Sequence, residues 1–224
     1  MTTLTTQITT FVTNTMSQQD PSHNPEHVHR VVQLAKHIFT HEKARSNKPL
    51  DENVIHLAAL LHDIEDRKYQ NSVARAVQGQ GMADGEGLVY SVLVSYGAES
   101  ELAERVQTIV SHVSYTTERE KPETVRGLIE GRFPELAVVQ DADRLDAIGA
   151  VGIGRCFTFL GAKGREFCEG GRWVMGNAIE HFEEKLERLE GMMKTETGRE
   201  MARVRTARLK EFRAWWAEEM NEAA

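Results

Sequence analysis

Apolar residues recur along this chain at intervals of three and four, while period-two alternation of Val, Ile and aromatic residues is scarce. That pattern predicts an all-α fold without a sheet of any size. The clearest stripe is Val28, Val31, Val32, Ala35, Ile38 and Phe39, one face of a helix from Asn24 to about Arg45 that follows the turn-like Asp20-Pro21-Ser22. Pro25 is tolerated there because the first turn of a helix needs no amide donor. Asp51 reads as the N-cap of a second helix with Val54, Leu57, Ala58 and Leu61 buried and His62-Asp63 at its C-terminal end. Further helices are predicted around Gly87–Ser95 and Glu99–Val113, with the glycine-rich stretch Gly79–Gly87 as a loop. Pro134–Lys163 reads as one long or broken helix, and Trp173–Met193 and Gly198–Met220 as two amphipathic ones. There is no internal repeat and no linker, so one domain over residues 1–224 is expected.

Composition narrows the function classes. Hydrophobic content of 40% and charged content of 27% lie in the globular range. A formal net charge of −7 disfavours a nucleic acid polymer as partner, because such binding needs clustered Lys and Arg. A small anionic substrate stays open, since a metal ion and a few cations can reverse the field inside one pocket. Cys156 and Cys168 are too few for a disulfide framework. The N-terminal MTTLTTQITTFVTN lacks the basic and apolar regions of a secretory signal, and no stretch approaches the roughly 18 apolar residues of a membrane span. A cytoplasmic protein without a membrane partner is the expectation.

Candidate chemistry centres on histidine and aspartate. Adjacent His62 and Asp63 at a helix end can both turn to one ion, imidazole nitrogen and carboxylate oxygen suiting a borderline or hard divalent cation. The pair alone also fits a hydrogen-bonded structural couple. His27 lies one turn before Val31 at the edge of the apolar stripe and should face inward. Asp143 follows the apolar run Val138-Val139, and a buried carboxylate is costly unless paired or bound to metal. Two imidazoles and two carboxylates facing inward make a coherent metal site.

The order His27, His62-Asp63, Asp143 resembles the H…HD…D signature of the HD-domain metal-dependent phosphohydrolases. The resemblance continues through HVHRVVQLA (27–35), LLHDIEDRKY (61–69), IVSHVSY (109–115) and QDADRLDAIGAVGIGR (140–155). It extends into the tail at Phe182-x-x-Lys185-Leu186-x-x-Leu189 and Thr195-x-x-Gly198-Arg199-x-Met201-Ala202-x-x-Arg205, and so covers about residues 23–220. It implies a single helical bundle with the metal site in its core, one divalent ion with Mn2+ preferred over Mg2+, Ni2+, Co2+ or Fe2+, and a small phosphate-containing substrate, a nucleotide above all. Catalysis would be attack of metal-bound water on a phosphomonoester or phosphoanhydride, without a side-chain nucleophile. In DADRLD the family's fourth ligand aligns with Asp143, directly before the basic residue; Asp141 competes, but two residues along a helix it points about 200° away.

The same resemblance makes Glu65 and Asp66 candidates for a general base or water-orienting group, with Asp66 favoured; the plainer reading is a solvated acidic cap pairing with Arg67 or Lys68. Arg144 and Lys68 are candidates for phosphate contact. His112 is a candidate substrate-binding group or else a satisfied core histidine, and it is the one histidine between the HD pair and Asp143, which favours one ion over two. Arg30 is expected to pair with a carboxylate beneath the site. His23, His29, His37, His41, His56 and His181 are assigned to surface or packing. Gly149-Ala-Val-Gly152-Ile-Gly154 lacks the flanking residues of a phosphate loop and is read as small residues letting helices approach. Trp173, Trp215 and Trp216 are read as core and interface aromatics. The reading from a different class is a non-catalytic ligand sensor or scaffold that keeps the metal as a clip.

Overall fold

The structure, a computed structural model, describes residues 3–17, 19–45, 49–64, 87–167 and 174–223. Among them every regular element is helical: α1 (Thr3–Met16), α2 (Pro25–Arg45), α3 (Glu52–Leu61), α4 (Leu88–Ser95), α5 (Ser100–Val110), α6 (Tyr115–Glu120), α7 (Pro122–Glu130), α8 (Glu135–Asp146), α9 (Gly149–Phe167), α10 (Gly176–Glu184), a 3₁₀ segment (Leu186–Met192) and α11 (Glu196–Glu222). The all-α class read from the pattern holds. No single helix among the described residues is long and apolar enough to cross a membrane.

At the centre α2 lies against α3 and α8. The α2 stripe is buried as the pattern predicts, from Val28 through Phe39, with His27 on the same face. Asn24 accepts from the amides of Glu26 and His27 and so caps the helix that Pro25 opens. Asp51 caps α3 through the amides of Asn53 and Val54. Behind it the fully buried Glu135 accepts from the Asp51 amide (3.0 Å) and from Arg105 (2.8 Å), pinning the start of α3 to α8 and α5. Full burial of a Leu or Ile is worth ~1.5–3 kcal/mol; Leu57, Leu61, Leu136 and Leu145, all completely buried, fix how these helices meet.

The predicted Pro134–Lys163 segment is broken into α8 and α9, which meet at a bend of 70°. Gly149 makes the bend: its φ of +76° suits glycine, and a Cβ there would lie 3.0 Å from Cγ of Arg205 on α11. Gly152 is required for a local reason, since its Cβ would fall 2.2 Å from the carbonyl oxygen of Ala147. The predicted Trp173–Met193 helix is likewise interrupted: α10 ends at Lys185 and the chain tightens into the 3₁₀ segment. Of the tryptophans read as core and interface aromatics, Trp216 packs beside Phe157 and Phe212, whereas Trp215 is exposed and is not a core residue. Trp173 and the loop 79–86 lie outside the described residues.

Three helices are not foreseen by the pattern. Threonine-rich α1 has poor intrinsic propensity, yet Ile8, Phe11, Val12 and Met16 bury one face and the hydroxyls of Thr9 and Thr15 fold back onto carbonyls four residues earlier. Short α6 and α7 carry one buried residue between them, Val125, too little for periodicity to register.

Candidate metal centre

Three elements converge on one point. His27 arrives on the first turn of α2, His62 and Asp63 leave the end of α3, and Asp143 projects from α8. Nε2 of His27 lies 3.1 Å from Nε2 of His62. Oδ2 of Asp63 is 3.3 Å from the first and 3.5 Å from the second. Oδ1 of Asp143 is 3.7 Å from both. The imidazoles are buried, their side chains 1% exposed, while the carboxylates of Asp63 and Asp143 are 21% and 30% exposed, so the centre opens to solvent on its carboxylate side.

The supports behind the histidines decide what this cluster can hold. Nδ1 of His27 donates to Oδ2 of Asp146 at 2.8 Å, and Nδ1 of His62 donates to the carbonyl of Ala59 at 2.9 Å. With both protons turned outward, each Nε2 directs a lone pair at the other and at the Asp63 oxygen, an atom that is buried without a hydrogen-bond partner. Two lone pairs and an unpartnered carboxylate oxygen within 3.5 Å call for a cation. The electrostatics agree. Burial opposes charge on His27, yet the Asp146 and Asp63 carboxylates outweigh it and hold its pKa above the ordinary value. Burial pushes Asp63 up, but His62 and His27 overcome it and hold the carboxyl well below the usual range. The donor set of imidazole nitrogen and carboxylate oxygen fits a divalent ion, and His27, His62 and Asp63 are placed so that they could hold one.

The two aspartates that compete in DADRLD separate cleanly. Asp141 is fully buried and turned the other way, accepting from the Lys194 amide (2.9 Å), the Thr195 amide (2.7 Å) and the Thr195 hydroxyl (2.7 Å). Burial pushes its pKa up in spite of those donors. Asp141 therefore fastens α8 to the start of α11, and it is Asp143 that faces the imidazoles.

Asp146 is the residue that sequence reasoning missed. Its side chain, 2% exposed, accepts from His27 and from Nε and Nη2 of Arg30 (2.7 and 3.0 Å) and forms an ion pair with Nη1 of Arg155 (3.1 Å). Burial favours its neutral form, but these partners hold it far below the carboxylate range. It is the carboxylate expected beneath the site as the partner of Arg30. The signal was its place three residues after Asp143, on the same side of one helix.

The remaining candidates divide. Arg144 is 3% exposed and engaged, through an ion pair with Glu118 and a 3.1 Å bond to the Met192 carbonyl; Lys194 donates to the same glutamate. The guanidinium of Arg144, expected to contact phosphate, is turned in this structure into a polar network with Glu118 and the Met192 carbonyl. His112 donates from Nδ1 to the Thr108 carbonyl at 2.7 Å, and its own carbonyl accepts from Gln140, which holds α5 to α8. Glu65, Asp66 and Lys68 lie outside the described residues. His23, assigned by sequence to surface or packing, packs with its ring 6.1 Å from that of His27, centroid to centroid.

Known proteins give the same answer. The HD domain pattern matches residues 25–148. YpgQ of Bacillus subtilis is 39% identical over 199 residues, spanning 89% of this chain and 85% of its own. The crystal structure of that protein in complex with ADP superposes with a TM-score of 0.66 at 33% identity, covering 96% of this chain and 97% of the other. An HD-superfamily hydrolase from Bacillus thuringiensis superposes with a TM-score of 0.64 at 26% identity, covering 97% and 96%. A Lactobacillus plantarum protein reaches a TM-score of 0.72 at 26% identity over 99% and 98% of the chains. On its sequence, its fold and its histidine–aspartate centre, this chain belongs to the HD-domain family, whose fold is that of the HD-superfamily hydrolases.

Proposed function

We propose that this protein is a divalent-metal-dependent phosphohydrolase acting on a nucleotide or another small phosphate compound, with His27, His62, Asp63 and Asp143 as the ligands of one ion. The observation that carries the reading is the pair of inward Nε2 lone pairs beside the unpartnered Asp63 oxygen, with Asp143 on the solvent edge. The ADP complex of YpgQ supports a nucleotide as substrate. When bound, such an ion lowers the pKa of a coordinated water and offsets charge on phosphoryl oxygens.

The chain's own residues supply the rest. Asp146 and the Ala59 carbonyl hold the imidazoles in one tautomer and orientation, so the ligand geometry is set before an ion arrives. Burial of both rings keeps water off the inner side and leaves approach to the exposed carboxylate edge. Glu65 and Asp66 as acid–base or water-orienting groups and Lys68 as a phosphate contact belong to this reading, as do a cytosolic setting and Mn2+ as the first ion to try.

The test is a screen of purified protein with Mn2+, Mg2+, Ni2+ or Co2+ against nucleoside mono-, di- and triphosphates, following phosphate and pyrophosphate release. Release dependent on metal is expected, and the product separates phosphomonoester from phosphoanhydride cleavage. Metal that raises the melting temperature without release from any substrate would instead identify a non-catalytic sensor.

A further inference from the structure

Between the 3₁₀ segment and α11 lies a cleft of about 480 Å³ with a strongly cationic lining. Arg199, Arg203 and Lys210 enter it from α11 and Arg188 from the 3₁₀ segment, with Glu187 and Glu190 beside them. Steps of four and eleven residues along a helix return to within about 40° of the start, so the three α11 cations form a row about 16 Å long. All four basic residues are exposed. Glu187 is met by Nε of Arg213 at 3.3 Å, and the Glu196 partner of Arg199, 3.4 Å away and 59% exposed, is a contact that solvent weakens. Among the described residues Arg203 and Lys210 take part in no ion pair. Four cations thus face two carboxylates, in a chain whose formal net charge is −7. The wall opposite α11 is held still. Leu186 and Leu189 are buried, and Nε of Arg188 donates to the Glu183 carbonyl at 3.3 Å. At the far end the Met192 carbonyl accepts from Arg144 and the Lys194 amide donates to Asp141, which fastens the segment to α8.

We propose that this cleft binds a small oligophosphate, inorganic or carried by a nucleotide, at a site separate from the metal centre. Guanidinium groups take phosphate oxygens in pairs, and a lysine ammonium adds a point charge at the end of the row. A row of cations matches an anion whose charges are spread along a chain, whereas a single phosphate would meet only part of it. None of the lining residues belongs to the histidine–aspartate centre. Without an ion, the Asp63 and Asp143 carboxylates repel a second anion there, so metal-free protein isolates binding at the cleft. The inference goes beyond the phosphohydrolase reading and stands independently of it.

The experiment is calorimetry in EDTA on the full chain, with tripolyphosphate, inorganic phosphate and a hexaglutamate peptide as probes. Wild type is compared with Asp143→Ala and with two double variants, Arg203→Glu/Lys210→Glu and Arg203→Gln/Lys210→Gln. One tripolyphosphate should bind per chain, and the double charge reversal should weaken it about tenfold or more, the Gln pair less. Asp143→Ala should bind it as wild type does, and inorganic phosphate should bind about tenfold more weakly than tripolyphosphate. Tripolyphosphate displaced by ADP supports the nucleotide-borne form, and tripolyphosphate that ADP leaves in place supports the inorganic one. If the charge reversal lowers the melting temperature, the Gln pair carries the comparison. Wild type that binds no tripolyphosphate, binding that survives both double variants, or binding lost in Asp143→Ala would each overturn the proposal. Hexaglutamate that binds as tightly as tripolyphosphate would make the cleft a surface for acidic peptides and overturn the oligophosphate assignment.

Discussion

Asp146→Asn should weaken the metal site without touching a ligand. The carboxylate is 2% exposed and takes three hydrogen bonds at 2.7–3.0 Å, two of them from the Arg30 guanidinium, with an ion pair to Arg155 at 3.1 Å. Breaking a buried ion pair by removing one charge costs ~3–5 kcal/mol. Asn retains an acceptor oxygen but turns an amide toward the arginines, which places the expected loss near the lower end, about 3 kcal/mol. For a chain of this size that is a fall in melting temperature of roughly 6–12 °C. The second effect separates a positioning role from a structural one. Loss of the partner that holds a ligating histidine weakens metal binding ~10–100-fold. At a free Mn2+ concentration of 100 times the wild-type Kd, metal stabilises wild type by ~2.7 kcal/mol, and a 100-fold weaker site by only ~0.4 kcal/mol. Differential scanning fluorimetry with and without Mn2+ reads both: a lower baseline and a smaller metal-induced increment. A variant with the lower baseline but the full wild-type increment would refute the claim that Asp146 sets the His27 lone pair.

Asp143→Ala should abolish Mn2+ binding in calorimetry at nearly unchanged stability, whereas Asp141→Ala should keep one ion per chain and lose about 3 kcal/mol in urea unfolding, because it strands two buried amides. The reverse result would exchange the two aspartates. Gly198→Ala should be less stable by ~1–3 kcal/mol, since the new Cβ would stand 2.3 Å from Oδ2 of Asp141 and 2.8 Å from the Thr195 hydroxyl; an unchanged melting temperature would show that this junction yields. For Glu118, burial raises the pKa, but the bonds to Lys194 and Arg144 outweigh it and hold the folded value below the ordinary 4.5. Its contribution is therefore complete above that value and lost as pH falls through the folded one. The stability gap between wild type and Glu118→Gln should be about 2 kcal/mol at pH 7 and shrink as pH falls below 4.5 in urea titrations, and a gap of constant size would refute the linkage.

Helices with one strong apolar face and a local cap were legible because both signals lie within a few residues. Val28 through Phe39, and Asp51 before Val54, could be placed from sequence because burial and capping there depend on neighbours along the chain. Threonine-rich α1 could not, since its helix is held by tertiary burial of Ile8 and Phe11 against weak propensity. The break at Lys185 was hidden for the opposite reason: the apolar spacing runs on through Leu186 and Leu189, and nothing local distinguishes a 3₁₀ segment from another helical turn. At the site, His27, His62 and Asp63 carry a spacing that motif chemistry recognises. The direction of Arg144 was not legible, because adjacency in sequence says little about it: one residue along a helix is a turn of about 100°, and its guanidinium pairs with Glu118 while Asp143 faces the imidazoles.

Helix α8 shows how far such angular reasoning reaches. Successive residues turn by about 100°, so Asp143 stands about 200° from Asp141, and Asp146 about 60° from Asp143. Two of the three aspartates therefore share a side, and the third must face elsewhere whatever the rest of the fold does. The sequence contains this much, and it suffices to pair Asp143 with Asp146 at one centre and send Asp141 to another. It does not contain which of the paired residues reaches the ion. What stands opposite each separates them: Asp146 meets the outer nitrogen of His27 together with Arg30 and Arg155, which consume both its oxygens, while Asp143 meets the inner nitrogens of both imidazoles. Two arginines on α2 and α9 thereby convert one carboxylate into a support and leave its neighbour facing the imidazoles. Charge reversal at Arg30 and Arg155 should disturb metal binding through Asp146 alone, and no contact of either arginine with the ion is needed for that effect.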